Sequence, residues 1–151
     1  LITQNIDELH QMAGNSPSKV IEVHGTVRQA VCTRCGRTTP MQQALERVRA
    51  GEADPACRDC GGIQKSATIF FGEALVPDVI ERALRATEEA ELFLTVGTSL
   101  QVYPIAGAVP VARAAGARIV IINAETTPFD GVADAVFRDS ISELLPRLLA
   151  P

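Results

Sequence analysis

Four cysteines constrain this chain more than any other feature of its sequence. They form two C-x2-C pairs, separated by 21 residues, at Cys32, Cys35, Cys57 and Cys60. Each pair can present two thiolates to one tetrahedral ion at ~2.3 Å, and two pairs complete the closed four-sulfur shell of structural zinc. Two disulfides are the alternative, but they need an oxidising compartment that nothing in the sequence indicates, and a redox C-x2-C explains only one pair. We therefore predict one zinc ion that holds the fold and leaves no position for a reactive water.

The segment around the cysteines, residues 28–65, concentrates positive charge. It holds seven of the 14 lysines and arginines against four acidic residues, in a chain whose net charge is −4. One interpretation is a zinc ribbon that binds nucleic acid through Arg34, Arg37, Arg47 and Arg58. A four-thiolate zinc centre carries two negative charges, however, and no aromatic side chain is interleaved for base stacking. We therefore favour a structural module and do not expect nucleic acid as a partner.

Outside that segment, apolar runs alternate with amphipathic stretches, which is typical of an α/β fold with helices packed on a parallel sheet. Strands are predicted at residues 92–96, 118–122 and 135–137, and the first two are apolar enough to be covered on both faces. Helices are predicted at residues 41–50, 78–90, 105–115 and from Ser140 onward. We expect Pro110 to kink or split the third of these helices.

Two loops follow the first two strands, and loops at the carboxyl ends of parallel strands are where such sheets bind ligands. Residues 97–99 (GTS) are small enough to let backbone amides approach a phosphate, and residues 123–125 (NAE) offer a carboxylate for ribose hydroxyls. The chain has no G-x-G, so the glycine-rich pyrophosphate turn of a dinucleotide fold is missing from it. No apolar run approaches the ~18 residues of a membrane span, and we expect a cytoplasmic protein without a membrane partner.

Only two histidines are present, His10 and His24, and a histidine is suited to proton transfer near neutral pH. Their flanking residues belong to a longer ordered series of motifs. The series consists of TQNIDELH (3–10), AG (13–14), VIEVHGT (20–26), the four-cysteine segment, CGG (60–62), FFGE (70–73), VGTSLQVYP (96–104) and IINAE (121–125). With these motifs in this order, the chain resembles the sirtuin family of NAD-dependent protein lysine deacylases.

The resemblance implies a Rossmann-like (sirtuin, DHS-like) parallel sheet in residues 1–27 and 66–151, with a zinc-binding four-cysteine module inserted at residues 28–65. It also implies a reaction between NAD, the co-substrate, and acyl-lysine proteins, the substrates. The acyl oxygen attacks C1′ of the nicotinamide ribose, nicotinamide leaves, and a ribose hydroxyl attacks the resulting imidate. The products are the free lysine and O-acyl-ADP-ribose.

The roles of individual residues are implied by the same resemblance. His24 would be the general base that deprotonates the ribose hydroxyl. The nicotinamide and its ribose would be lined by Gln4, Asn5, Asp7 and His10. The phosphates and the adenosine ribose would be held by Gly97, Thr98, Ser99, Asn123 and Glu125. The substrate peptide would be clamped by main-chain bonding at Ile69, Phe71, Gly72, Glu73 and Val102.

This sequence departs from the family pattern in three places. Glu8 stands where the family usually has glycine, and we expect it to point outward. Ser66 and Ala67 replace the usual Pro-Asp, and the GAGxS phosphate loop and the Arg-containing cofactor loop that precede TQNID are missing. We interpret the chain as the C-terminal part of a sirtuin, which alone should bind NAD weakly and have negligible deacylase activity. The alternative is a non-catalytic, zinc-stabilised module that binds peptide and self-associates through exposed sheet edges.

Overall fold

The computed structural model describes residues 1–149, and the chain divides into two compact units between Val79 and Ile80. The first unit contains all four cysteines and both histidines. A helix, α3 (Pro77–Glu88), begins at the end of the first unit and continues in the second. Among the helices of residues 1–149, none is both long and apolar enough to cross a bilayer.

A short pair of parallel strands begins the first unit. β1 (Ile2–Thr3) pairs with β2 (Ile21–Glu22), and the Val23 N–H extends the pairing by donating to Thr3 O at 3.0 Å. Between the strands lies a single helical turn, α1 (Leu9–Met12). Because both strands run in the same direction, the residues that follow them emerge at one edge of the pair. This edge brings the segment after Thr3 next to the segment that contains His24.

The other three strands of the first unit form an antiparallel sheet. Its central strand, β3 (Gly25–Cys32), lies between β4 (Thr38–Pro40) and β5 (Gln64–Thr68). The register with β5 is interrupted between Thr26, which pairs with Ala67, and Ala30, which pairs with Ser66. The sheet therefore extends three residues beyond the predicted insert, residues 28–65, at each end.

The helix predicted at residues 41–50 is α2 (Met41–Arg49), which ends one residue earlier, with Ala50 as its cap. Gly51 follows with φ of 97°, a left-handed conformation that favours glycine after a helix. The chain then runs through residues 50–56 without a helix or strand before it reaches Cys57. The two cysteine pairs thus lie on either side of β4, α2 and this irregular segment.

The second unit contains the predicted parallel sheet. Its strands have the bounds that the sequence predicts, and they lie in the order β6 (Leu92–Val96), β7 (Arg118–Ile122), β8 (Ala135–Phe137). β7 is central, and Ile119, Ile121 and Ile122 are completely buried. Val109 and Ala112 of the neighbouring helix pack in the same core. The prediction of an α/β fold with a parallel sheet is confirmed.

One expectation about this sheet is wrong. β6 was expected to be covered on both faces, but Leu92, Leu94 and Val96 are 52%, 43% and 36% exposed. These three side chains alternate along the strand and so share one face, while Thr95 on the other face is buried. Among the described residues β6 is an edge strand of this sheet, and its apolar composition is not matched by burial of this face.

The remaining helices of the second unit differ from prediction in detail. The segment predicted at residues 105–115 consists of a 3₁₀ turn, Ile105–Gly107, followed by α4 (Ala108–Ala114). Pro110 lies in the first turn of α4, where a backbone N–H has no partner within the helix, so the division precedes the proline. The last helix, α5 (Ile141–Leu149), begins directly after Ser140 as predicted, and Leu144 is its buried leucine among those whose side chains are described.

Candidate functional site

The four cysteine sulfurs of the first unit converge on one point. Cys32 Sγ and Cys60 Sγ lie 3.5 Å apart, Cys35 Sγ and Cys57 Sγ lie 3.7 Å apart, and all four lie within 4.8 Å of one another. Sulfurs bound tetrahedrally at about 2.3 Å from one zinc ion would be separated by about 3.8 Å. Disulfide sulfurs would be separated by about 2.05 Å, and all four thiols are free. The arrangement fits one structural zinc and does not fit the disulfide alternative.

Two matching turns present these sulfurs. In the first, the Cys32 N–H donates to Arg37 O and the Gly36 N–H donates to Cys32 O, both at 2.9 Å. In the second, the Cys57 N–H donates to Gly62 O and the Gly61 N–H donates to Cys57 O, both at 2.8 Å. Gly62 packs directly on the site, since a Cβ there would lie 2.8 Å from Cys32 Sγ. The CGG motif therefore supplies both a ligand and the space that the sulfurs need.

The thiols of the quartet differ in acidity. Backbone N–H groups of Cys35 and Arg34 and the neighbouring thiols lower the pKa of Cys32 to about 6 against the cost of burial. The Gly62 N–H lowers the pKa of Cys60, but the thiols of Cys35 and Cys32 and burial raise it, and the net pKa is about 12. Thiols this close share their protons, and a bound cation would replace those protons because metals bind the thiolate form.

Three of the four arginines named around the cysteines have partners within the module. Arg37 forms an ion pair with Asp59, Arg47 forms one with Glu52, and Arg34 Nη1 donates to Cys60 O at 2.8 Å. These bonds join residues of the two cysteine turns and the connecting helix. They support the interpretation that the positive charge of these arginines stabilises a structural module. Less positive charge then remains for binding a nucleic acid.

His24 lies half-buried beside the segment that follows β1. Its Nδ1 lies 3.2 Å from the backbone carbonyl oxygen of Gln4. A carbonyl can only accept a hydrogen bond, so Nδ1 is the donor in this contact, and in the neutral imidazole the lone pair is then on Nε2. The backbone on the other side is also held, since the Ile69 N–H donates to His24 O at 2.9 Å. The geometry therefore orients a histidine whose Nε2 is prepared to accept a proton.

The other predicted residues of this motif surround the same segment. Asn5 is exposed, and its N–H donates to Thr3 Oγ1 at 3.1 Å. Asp7 is half-buried, and its carboxylate accepts from the Leu9 N–H at 3.0 Å at the start of α1. His10 is half-buried within α1. These residues lie on the chain that leads from β1 into α1, and the contact of this chain with His24 is made by the Gln4 carbonyl.

Glu8 does not point outward as expected. It is half-buried, and its Oε1 accepts a hydrogen bond from Thr26 Oγ1 at 2.8 Å, two residues after His24. Its φ is 61°, a left-handed conformation that costs a residue with a Cβ but not a glycine. This explains why glycine suits the position in the family pattern, and it shows what this chain gains in exchange: a side-chain bond between the two halves of the histidine site.

The strand after the cysteine module leads into four of the predicted peptide-clamp residues. Ile69 is tied to His24 through its N–H, and the side chain of Phe71 is fully exposed. Glu73 has a partner that the sequence did not suggest: Lys65 Nζ lies 2.9 and 2.7 Å from its two carboxylate oxygens and 4.2 Å from the centre of the Phe70 ring. Lys65, followed by the Phe70 N–H, lowers the pKa of Glu73. These bonds close the turn that contains Gly72.

The second unit brings its own predicted residues together. Val96 pairs with Ile122 in the parallel sheet, so the loops at residues 97–99 and 123–125 begin side by side. Gly97 has φ of 62°, and a Cβ there would lie 3.0 Å from the Ile141 side chain, which accounts for glycine. Asn123 Nδ2 donates to Glu125 O at 2.9 Å, and its carbonyl accepts from Arg138. Val102, predicted for the peptide clamp, lies in this unit and is 42% exposed.

Comparison with known proteins gives a consistent result. A family model described as "Sir2 family" matches residues 1–104. A protein of Streptomyces coelicolor named NAD-dependent protein deacetylase 2 is 52% identical over 149 residues, which are 99% of this chain and 62% of that protein. NAD-dependent protein deacetylase 1 of Pyrobaculum aerophilum is 45% identical over 149 residues, which are 99% of this chain and 57% of that protein. The chain spans about three fifths of the length of these relatives.

Solved structures agree in fold as well as sequence. One described as "Sir2-p53 peptide-NAD+" is 35% identical with a TM-score of 0.89, and the match covers 97% of this chain and 60% of the other. Another, "Sir2 bound to acetylated peptide", is 35% identical with a TM-score of 0.90, and the match covers 97% of this chain and 60% of the other. The cysteine quartet and the oriented histidine lie within the residues that the family model matches. The chain therefore belongs to the Sir2 family, the sirtuins.

Proposed function

We propose that this chain provides the deacylation chemistry and the zinc module of an NAD-dependent protein lysine deacylase. The observation that carries the proposal is the orientation of His24, whose Nδ1 is committed to Gln4 O so that Nε2 can take a proton. The names of its relatives support the same reaction, since they are NAD-dependent protein deacetylases. Acyl-lysine proteins are the proposed substrates, in line with a solved relative described as bound to acetylated peptide.

The proposed roles divide between NAD and the chain. NAD supplies the ribose carbon that takes the acyl oxygen as nicotinamide leaves. His24 accepts the proton of the ribose hydroxyl that then attacks the acyl carbon. The nicotinamide carboxamide and ribose are oriented by residues beside His24, namely Gln4, Asn5, Asp7 and His10. Backbone and side-chain groups at the carboxyl ends of β6 and β7 bind the phosphates and the adenosine ribose, namely Gly97, Thr98, Ser99, Asn123 and Glu125.

The proposed peptide contact is an edge of main chain near His24. Ile69 is bonded to His24 O, so a peptide that pairs with Ile69, Phe71, Gly72 and Glu73 would lie close to the histidine. Val102 is proposed to contact the same peptide. Main-chain pairing reads the backbone of the substrate, so a deacylase of this kind accepts many sequences around the acylated lysine.

We propose that residues 28–65 form a module whose zinc is structural. Four sulfurs complete a tetrahedral shell, so no coordination position is left for a water or a substrate. The free thiols also suit a reducing compartment, and we place the protein in the cytoplasm on that ground.

The test is the substitution His24→Ala in the gene product that carries this chain. Formation of the deacetylated peptide from NAD and an acetyl-lysine peptide should fall by about 10²- to 10⁴-fold, which is the usual contribution of a general acid or base. Zinc content should stay at one equivalent and the circular dichroism spectrum should not change, because His24 contacts neither cysteine turn. Undiminished turnover in the variant would contradict the proposed role.

A second candidate function is supported by the exposed face of β6. Leu92, Leu94 and Val96 form an apolar row on an edge strand, and such edges tend to pair with another chain. A non-catalytic module that binds peptide and self-associates through this edge would have at least twice the chain mass in light scattering. Leu94→Lys would return it to the monomer mass, whereas a chain that is monomeric from the outset would exclude this candidate.

A further inference from the structure

The cysteines of the zinc site are not positioned in the same way. Cys32 is the last residue of β3, so the antiparallel sheet fixes its backbone directly. Cys57 instead follows residues 50–56, which contain neither helix nor strand. The second turn bonds Cys57 to Gly61 and Gly62 on its C-terminal side, but an irregular segment of this length would not by itself hold the chain on its N-terminal side.

Two side chains tether that segment immediately before Cys57. Arg47 Nη1, from α2, donates to Ala56 O at 2.8 Å. Gln64 Nε2, from β5, donates to Pro55 O at 2.8 Å. The carbonyl groups of the two residues that precede the cysteine are thus held by two different elements of the module. Both donors lie in regular secondary structure, Arg47 in α2 and Gln64 in β5. They therefore connect residues 50–56 to the helix and the sheet of the module.

Arg47 also holds the beginning of the segment. Its Nε and Nη2 donate to the two carboxylate oxygens of Glu52 at 2.7 and 2.5 Å. The Arg47 side chain is 18% exposed, and its three nitrogens are all engaged. One planar guanidinium therefore ties residues 52 and 56 to the same helix. A lysine could not make this arrangement, because its ammonium is a point charge without the fixed fork.

The cavity beside Arg47 does not contradict a structural role. It has a volume of about 80 Å³ and is lined by Arg37, Arg47, Cys57 and Gln64 among others. Two of its guanidinium groups are already paired, Arg37 with Asp59 and Arg47 with Glu52. Arg37 and Arg47 therefore bind the module to itself, and Arg58 is the third arginine of the lining.

We propose that Arg47 and Gln64 are positioning residues of the zinc site, which hold Cys57 where it meets the other three sulfurs and so slow the release of the ion. Neither side chain binds the metal. They act through the backbone before Cys57, as residues behind metal ligands commonly do. The proposal rests on the cysteine quartet binding zinc, and it adds that zinc retention depends on two residues outside the quartet.

The test measures zinc release from the loaded chain rather than its activity. The change Arg47→Met keeps most of the side-chain stem and removes all three donors. We expect it to lower zinc affinity by about 10- to 100-fold in competition with a chromogenic chelator, which is the usual effect of losing such a partner. Arg49→Met is the matched control, because Arg49 lies two residues away on the same helix and is exposed. It should release zinc at the rate of the unchanged chain.

Two further variants separate positioning from charge and from folding. Arg47→Lys keeps the positive charge but not the fork, and it should lose zinc nearly as fast as Arg47→Met. Full retention in Arg47→Lys would overturn the proposal, as would wild-type affinity in a folded Arg47→Met. If circular dichroism shows that Arg47→Met does not fold, the zinc affinity of Gln64→Leu tests the positioning role instead. We expect about 3- to 10-fold weaker binding there for the loss of one neutral hydrogen bond, and unchanged binding overturns the proposal.

Zinc binding by the quartet itself is tested separately, by the zinc content of the unchanged chain. An unchanged chain that holds one equivalent of zinc establishes the metal, whatever the variants do. If that chain holds zinc and the variants hold it equally well, only the positioning role fails. If the unchanged chain holds none, the metal and the positioning role both fail.

Discussion

Adding one methyl group next to His24 should destabilise the first unit strongly. Gly25 opens β3 with φ of 72°, a conformation that costs a residue with a Cβ about 1–2 kcal/mol. A Cβ at this position would lie 2.0 Å from Ala67 O on the paired strand, and such contacts essentially never fall below 3.0 Å. The two backbones would have to separate by about 1 Å, at a further cost of about 1–3 kcal/mol for overpacking. Gly25→Ala should therefore lower the free energy of unfolding by about 2–5 kcal/mol.

Gly36→Ala is the matched control for the assay. Gly36 has the same φ of 72°, but no heavy atom lies within 4 Å of the position that a Cβ would take. It should lose only the conformational term, about 1–2 kcal/mol. Urea unfolding of the zinc-loaded proteins, followed by circular dichroism, gives both values. Hydrogen exchange of the Ile69 amide, which donates to His24 O, reports whether the strands have separated locally.

An equal loss of unfolding free energy in Gly25→Ala and Gly36→Ala would refute the steric cost predicted at Gly25. In that case the overlap with Ala67 O would be relieved at no cost, and the close pairing beside His24 would not require glycine. If Gly25→Ala is the less stable variant and the exchange rate of Ile69 rises while that of Cys32 does not, the cost is confined to the end of the sheet nearest the histidine.

Three other predictions concern the core, the acid sensitivity and the metal. Ile119→Ala should cost the second unit about 2–5 kcal/mol in urea unfolding because the side chain is completely buried, whereas Leu92→Ala, at a side chain that is 52% exposed, should cost much less. The Thr127 hydroxyl, then its N–H and Arg138, lower the pKa of Asp130. Its contribution is therefore complete above the unfolded pKa of about 3.9 and is lost as the pH falls through the folded value, so Asp130→Asn should remove part of the acid sensitivity below about pH 4. Chelation of zinc should abolish the slow-exchanging amides of β3 and β5, and Cys57→Ser should prevent their recovery when zinc is returned.

The local patterns in this sequence were sufficient for the sheet of the second unit and for the cysteine pairs, but they did not give the five strands of the first unit. The three strands of the parallel sheet have the predicted bounds because a short apolar run between turn formers is itself a local property. The zinc quartet was predicted from spacing alone, since two residues between cysteines determine that both sulfurs can reach one ion. The family followed from the order of short motifs, and the family model confirms it.

Burial and side-chain partners could not be predicted in the same way. β6 has the composition of a covered strand, yet its outer face is exposed because burial depends on what packs over a strand. Glu8 was expected to point outward, but its left-handed backbone turns it toward Thr26, 18 residues later. The partnership of Lys65 with Glu73 likewise depends on a turn whose shape no local pattern indicates.

The division between sequence and structure has one physical reason. Periodicity, turn residues and ligand spacing act between residues a few positions apart. The sequence by itself therefore determined the strands of the parallel sheet, the cysteine pairs and the position of His24 in its motif. The tautomer of His24, the role of Glu8 and the tethering of Cys57 by Arg47 and Gln64 depend on groups between 9 and 20 positions away. Such groups meet only after the strands have paired in a particular register, and that register is a property of the tertiary structure.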